Sequence, residues 1–135
     1  MSSARRVFLD TNVLLYLLSD DTRKADRAER LLTPDAVVSV QVLSEFTAVG
    51  RRKLGLSWSE IDEFVGTVRA VCSVEPLTLD SYDRARVLAE RYRLSWYDAL
   101  IAASALQAGC STLYSEDFHH GLALEKTMRV SDPFR

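Results

Sequence analysis

The 135-residue chain is predicted to be an α/β domain, with a mostly parallel sheet of four to five short strands between two layers of helices. Two observations predict this. Short apolar runs recur at residues 6–10, 36–39, 72–77, 112–115 and 128–131, and stretches of helical length separate most of them. Connections that long suit crossovers between parallel strands rather than hairpins. The length suits one core, and no linker, repeat or low-complexity segment divides residues 1–135, so a single domain is expected.

The elements follow in order. Val7-Phe8-Leu9 lies in the first strand. A short helix runs through Val13-Leu14-Leu15-Tyr16-Leu17-Leu18, and Asp20-Asp21 stops or caps it. A charged amphipathic helix covers residues 22–32, with Ala25, Ala28, Leu31 and Leu32 on one side. Residues 36–39 form a buried strand, and Ser39 caps a helix that carries Val42, Phe46 and Val49 and ends near Gly55. Ser57-Trp58-Ser59-Glu60 has capping-box spacing and opens a helix to about residue 71. After a strand at 72–77, Asp80 or Ser81 starts a long helix to about residue 93. Ser95 opens the next helix, to Gly109, and residues 112–115 and 128–131 supply the last strands. The three prolines fall in loops or at strand ends.

Composition narrows the class. An apolar fraction of 47% with 27% charge is that of an ordinary globular chain. A net charge of -2 argues against a strongly basic nucleic-acid coat. Fourteen of the 17 basic residues are nonetheless arginine, which suits bidentate phosphate contacts. Two cysteines, Cys72 and Cys110, are too few for a disulfide framework and read as reduced core thiols. The segment Met1 to Arg6 lacks the apolar stretch of a signal peptide, and no apolar run approaches membrane-spanning length. A cytoplasmic location is the default expectation.

Four acids stand where a carboxylate is hard to explain structurally. Asp10 ends the first strand, and Asp117 follows the strand at 112–115. Both therefore sit beyond strand carboxyl ends, where parallel sheets bind ligands. Glu45 falls beside Val42, Phe46 and Val49, and Asp98 shares a face with Ile101, Ala102 and Ala105. Each acid also has a plainer reading: Asp10 as a helix cap, Glu45 as a stripe-edge residue paired with Arg52, Asp98 as the third position of a capping box, Glu116-Asp117 as a loop pair. Spacing does not choose between Glu116 and Asp117. Isolated buried carboxylates are costly, so four that converge point to a divalent cation and phosphate-ester hydrolysis. Asn12 and Ser115 are the polar neighbours placed to support them. Without a cation the acids repel one another, and at least one should hold its proton more tightly than usual. His119-His120 reads as a solvated loop, and Arg51-Arg52-Lys53 as a solvated helix end or, second, a phosphate contact.

These segments resemble the PIN-domain nucleases. The resemblance rests on Phe8-Leu9-Asp10-Thr11-Asn12-Val13-Leu14-Leu15-Tyr16, Ser44-Glu45-Phe46, Ser95-Trp96-Tyr97-Asp98-Ala99-Leu100-Ile101-Ala102-Ala103, and Leu113-Tyr114-Ser115-Glu116-Asp117-Phe118. The length and the ending Val130-Ser131-Asp132-Pro133-Phe134 look most like the VapC toxins of type II toxin–antitoxin pairs. The resemblance implies a PIN-like α/β/α fold and an endoribonuclease using Mg²⁺ or Mn²⁺. Asp10, Asp98 and Asp117 would be metal ligands, Glu45 a further catalytic carboxylate, and Thr11 or Asn12 and Ser115 supporting polar groups. It also implies an RNA substrate, a homodimer and a VapB-like antitoxin. An exposed apolar groove near the helices of Tyr16, Trp58 and Phe64 could receive an amphipathic partner helix.

Rival readings are an aspartyl phosphotransferase, a phospho-acceptor receiver, another metal-dependent phosphohydrolase, and a non-catalytic interaction module. The phosphotransferase would want an acid at position 12, which is Asn12. The receiver would want a lysine after a late strand, where there is only Lys126. In the interaction module the acids would merely cap helices.

Overall fold

The first strand, β1 (Val7–Leu9), is the structural centre of the sheet. The structure, a computed structural model, describes residues 6–135, so the expectation for the N-terminal stretch lies largely outside the described residues. After β1 come α1 (Thr11–Tyr16), α2 (Thr22–Leu31), β2 (Ala36–Ser39), α3 (Val40–Arg52) and α4 (Trp58–Val71). Then follow β3 (Ser73–Glu75), α5 (Leu79–Tyr92), α6 (Trp96–Gln107), β4 (Thr112–Tyr114), β5 (Ala123–Leu124) and β6 (Met128–Ser131). The six strands lie in the order β3-β2-β1-β4-β6-β5, and every neighbouring pair is parallel except β5 and β6. All four residues of β2 are buried, so helices cover both faces.

The sheet has six strands where four to five were expected. The extra one, β5, is two residues long and pairs antiparallel with β6. Its turn puts Glu125 (φ 52°) and Lys126 (φ 62°) in the left-handed region, a geometry usually signalled by Asn-Gly. The turn is held instead from α5: the Glu125 amide donates to Tyr92 Oη, and Arg91 Nη1 and Tyr92 Oη donate to Glu125 Oε2.

Most helix boundaries follow the caps. Ser39 Oγ accepts from Val42 N at 3.2 Å, and Ser57 and Glu60 form the reciprocal capping box. Asp21 caps α2 rather than closing α1, which stops at Tyr16. Thr78, not Asp80 or Ser81, caps α5; Ser81 is its third residue and reaches back to the Thr78 amide at 3.0 Å. Helix α6 buries Ala99 and every residue from Ile101 to Ala105, including Ser104. Small side chains on so much of its surface let it pack close to α5 and to β2. Both cysteines are buried and free, and burial pushes Cys72 up to about 11 and Cys110 up to about 12, leaving inert thiols.

Removing the cap that starts α3 tests this account. Ser39→Ala leaves the buried Val42 amide without its partner, so urea unfolding should show a loss of about 1 kcal/mol.

Candidate functional site

Parallel register builds the site. Leu9 lies opposite Tyr114, so the residues that leave β1 and β4, Asp10 and Ser115, emerge side by side. The Asp10 amide donates to the Tyr114 carbonyl at 3.0 Å, extending the pairing by one residue. Chain then turns from Asp10 directly into α1, and Asp10 Oδ1 accepts from Thr11 N at 2.7 Å as its cap. The other oxygen, Oδ2, accepts from Ser115 Oγ at 2.7 Å and from Asn12 Nδ2 at 3.5 Å. Asp10 is only 3% exposed.

Asp117 joins through the same two side chains, Asn12 and Ser115. Asn12 Nδ2 stands 3.2 Å from Asp117 Oδ2 and 3.3 Å from Ser115 Oγ, which also accepts the Asp117 amide at 3.0 Å. Glu116 turns elsewhere. Its Oε1 accepts from Tyr16 Oη at 2.8 Å and its Oε2 pairs with Lys24 at 3.5 Å, while the Lys24 ammonium sits 4.6 Å from the Tyr16 ring centre. Glu116 is thus spent fastening α1 and α2, while Asp117 faces Asp10.

Glu45 arrives from α3. Thr11 Oγ1 donates to Oε1 at 2.5 Å and Gln41 Nε2 to Oε2 at 3.1 Å. Asp98 arrives from the first turn of α6, where its amide donates to Ser95 Oγ at 3.3 Å. Burial raises the Asp98 carboxyl above its ordinary value, and the charges of Asp117 and Glu45 raise it further against the lowering effect of Ser95. Burial likewise holds Asp10 up at about 7; Ser115 and Thr11 oppose it, and Asp117 and Glu45 add to it. The charges of Asp117 and Glu45 act on both the buried Asp10 and the half-buried Asp98, so the four carboxyls share one electrostatic neighbourhood. Thr11 donates to Glu45 within it, and Asn12 and Ser115 donate to Asp10.

The arrangement fits a hard divalent cation in one form. Among the described residues no three of the His, Cys, Asp and Glu side chains close into a cage. A cation that keeps most of its water needs only one or two direct carboxylates. Asp10 and Asp117 supply such a pair, each within 3.5 Å of the Asn12 amide nitrogen. The donor set is all oxygen, and the buried Asp10 carboxyl is the charge a cation would relieve.

Other candidates go to local duties. His120 Nδ1 accepts the Asp132 amide at 3.0 Å, and both histidines are exposed. Arg51 Nη1 donates to the Leu56 carbonyl at 2.9 Å, with its guanidinium 4.5 Å from the Trp58 ring centre, so it fastens the α3–α4 connection. The sequence reading missed Gln41. Its position one helical turn before Glu45, polar and beside Val42, was the available signal. An apolar groove of about 450 Å³ runs between Leu17, Leu18, Leu32 and Phe64, with Glu60 and Glu63 at its edge. The groove lies near the helices where it was expected, the end of α1 and α4; Phe64 lines it, whereas the Tyr16 and Trp58 side chains pack on Lys24 and Arg51.

Known proteins match this fold. The PIN domain family model matches residues 7–121. A toxin–antitoxin complex from Klebsiella pneumoniae superposes with TM-score 0.73 at 18% identity, over 94% of this chain and 97% of that one. The Mycobacterium tuberculosis toxin VapC20, which cleaves the sarcin–ricin loop, superposes with TM-score 0.64 at 24% identity, over 82% and 89%. VapBC2 from Rickettsia felis, bound to a DNA fragment from its promoter, gives TM-score 0.58 at 20% identity, over 82% and 87%. No match was found among curated protein sequences.

The buried acid has a measurable consequence. Its folded value of about 7 exceeds the ordinary 3.8, so folding favours the protonated form. Stability from this group is therefore present below about 4 and lost as pH rises toward about 7. Melts of the metal-free protein should fall in temperature over that range, and Asp10→Asn, which keeps an oxygen for Thr11 N, should flatten the fall. An unaltered slope in the variant would assign the effect to another group.

Proposed function

The chain belongs to the PIN domain family, and from that premise we propose that it is a metal-dependent endoribonuclease, the toxin of a VapBC-type toxin–antitoxin pair. The observation that carries the reading is the convergence of Asp10, Glu45, Asp98 and Asp117 at the carboxyl edge of the sheet, around a carboxylate that burial makes reluctant to ionise. The neighbouring toxin structures support the same reading.

In this reading Asp10, Asp98 and Asp117 would hold Mg²⁺ or Mn²⁺, one or two of them directly and the rest through its water, and the cation would supply charge neutralisation at the phosphate and favour ionisation of water. The chain's own groups do the positioning. Asn12 and Ser115 hold Asp10 and Asp117 toward each other. Glu45, with one donor on each oxygen, keeps a lone pair free to accept the attacking water's proton. The water oxygen bonds to phosphorus as its proton passes to Glu45, the bond to the leaving ribose oxygen breaks, and that oxygen takes a proton from solvent, to which Glu45 returns its own. Asn12 disfavours the phosphotransferase reading: its amide donates toward Asp10, Ser115 and Asp117 and has no acid proton to give.

The acidic-edged groove fits the antitoxin, as an amphipathic helix whose apolar side meets Leu17, Leu32 and Phe64 and whose basic side chains meet Glu60 and Glu63. Leu79, Tyr82 and Val87, exposed along α5, are an apolar face for a second copy in the homodimer. Among the described residues no helix is long and apolar enough to cross a membrane, and we place the protein in the cytoplasm with its RNA.

Asp10 also caps α1, so a purely structural role has its own support. Asp10→Asn separates the two, because the cap survives while the charge goes. Purified protein with Mg²⁺ or Mn²⁺ should cut total RNA into discrete fragments, chelator should stop it, and the variant should lose at least ~100-fold, the upper range for mutating groups that merely support a metal ligand. The wild-type rate should climb with pH to a plateau that begins below about 7, since a cation favours the ionised acid. A rate unaffected by Asp10→Asn would return the acids to capping. Separately, Leu18→Arg, at an exposed residue of the groove wall, should abolish co-purification with the product of the adjacent gene without lowering RNA cleavage; retained binding would move the partner off this groove.

A further inference from the structure

We propose that Gln41 is a positioning residue for this chemistry, fixing Glu45 in place and tying it to the helix turn that carries Asp98; the proposal rests on the nuclease reading above. Gln41 lies on α3, one turn before Glu45, and is only 5% exposed. Its amide nitrogen donates to Glu45 Oε2 at 3.1 Å and to the Tyr97 carbonyl at 3.1 Å. Tyr97 immediately precedes Asp98 in the first turn of α6. One NH₂ group, with one hydrogen for each partner, therefore joins the two helices that deliver Glu45 and Asp98.

The orientation of the amide follows from its neighbours. A carboxylate and a carbonyl both accept, so turning the amide over would set its oxygen against two acceptors. The cost of the observed orientation falls on Gln41 Oε1, which is buried with no hydrogen-bond partner among the described residues. An unmet buried acceptor destabilises a fold. An apolar side chain of the same length would serve packing at least as well, so the amide earns its place through Glu45 and α6 rather than through stability.

Glu45 shows what is at stake. Thr11 Oγ1 holds Oε1 from α1 and Gln41 holds Oε2 from its own helix, so the carboxylate is fastened on both sides. Without Gln41, Glu45 keeps one tether and regains rotamer freedom. A proton acceptor that wanders by an ångström slows the chemical step while leaving the RNA-binding surface alone.

The test is Gln41→Met, which preserves length and helix propensity and removes both hydrogen bonds. The substrate is an oligoribonucleotide containing a site at which the wild-type protein cuts total RNA. The expected result is a kcat lower by roughly 10- to 100-fold, KM within about twofold, and a melting temperature unchanged or higher. A merely structural role predicts the reverse pairing, with kcat preserved in whatever fraction folds and the melting temperature lowered. A folded Gln41→Met with wild-type kcat overturns the proposal. Should Met fail to fold, Gln41→Glu keeps the shape and sets a second carboxylate against Glu45 and the Tyr97 carbonyl; it must also lose kcat, and wild-type kcat there overturns the proposal equally. A wild type inactive with every metal would remove the nuclease reading and this one with it, whereas an active wild type beside an active Gln41→Met removes this one alone.

Discussion

A carboxylate buried at the end of the central strand is the constraint on which the rest depends. Asp10 loses most of its water, and only Ser115, Thr11 N and the more distant Asn12 replace it. Those partners come from β1's own exit and from β4, so the site cannot be assembled without the parallel pairing that sets Leu9 against Tyr114. Fold and site are one arrangement: the register that buries Leu9 and Leu113 also presents Ser115 to Asp10. The exit of β4 adds Asp117, and two helices add Glu45 and Asp98, each beside a polar contact that braces or starts its helix.

Much of this was legible beforehand because the residues that build the site also punctuate the secondary structure. Asp10 and Ser95 are caps, Ser39 both ends a strand and starts the helix that carries Glu45, and the small face of α6 announces close packing. The choice between Glu116 and Asp117 was not legible. It turns on Tyr16 and Lys24, about a hundred residues away, which draw Glu116 aside. Gln41 escaped notice because a glutamine on a helix is unremarkable until its two acceptors, one from another helix, are known. Strand β5 was hidden by a turn built from Glu125 and Lys126, whose left-handed backbone is held from outside by Tyr92 and Arg91.

The acidic site and the apolar groove are chemically segregated. The former is oxygen-lined and gathers around the carboxyl ends of β1 and β4, whereas the latter is formed by Leu17, Leu18, Leu32 and Phe64. They are still mechanically related. Leu17 caps α1, whose first turn holds Thr11 and Asn12, and Phe64 stacks on the fully buried Phe46, next to Glu45 in sequence, at 4.1 Å. A helix seated in the groove would press on both elements that carry the donors and the proton acceptor.

The two ends of the sheet bear on how any protein can hold this one. Its outermost strands, β3 and β5, are three and two residues long. Rows that short offer few free amides and carbonyls, so they make poor templates for an incoming strand. Recognition by backbone zippering, which tolerates many partner sequences, is thereby closed off. What remains is reading by side chains across helical faces, where the partner's sequence decides the fit and one domain of this architecture can be told from another.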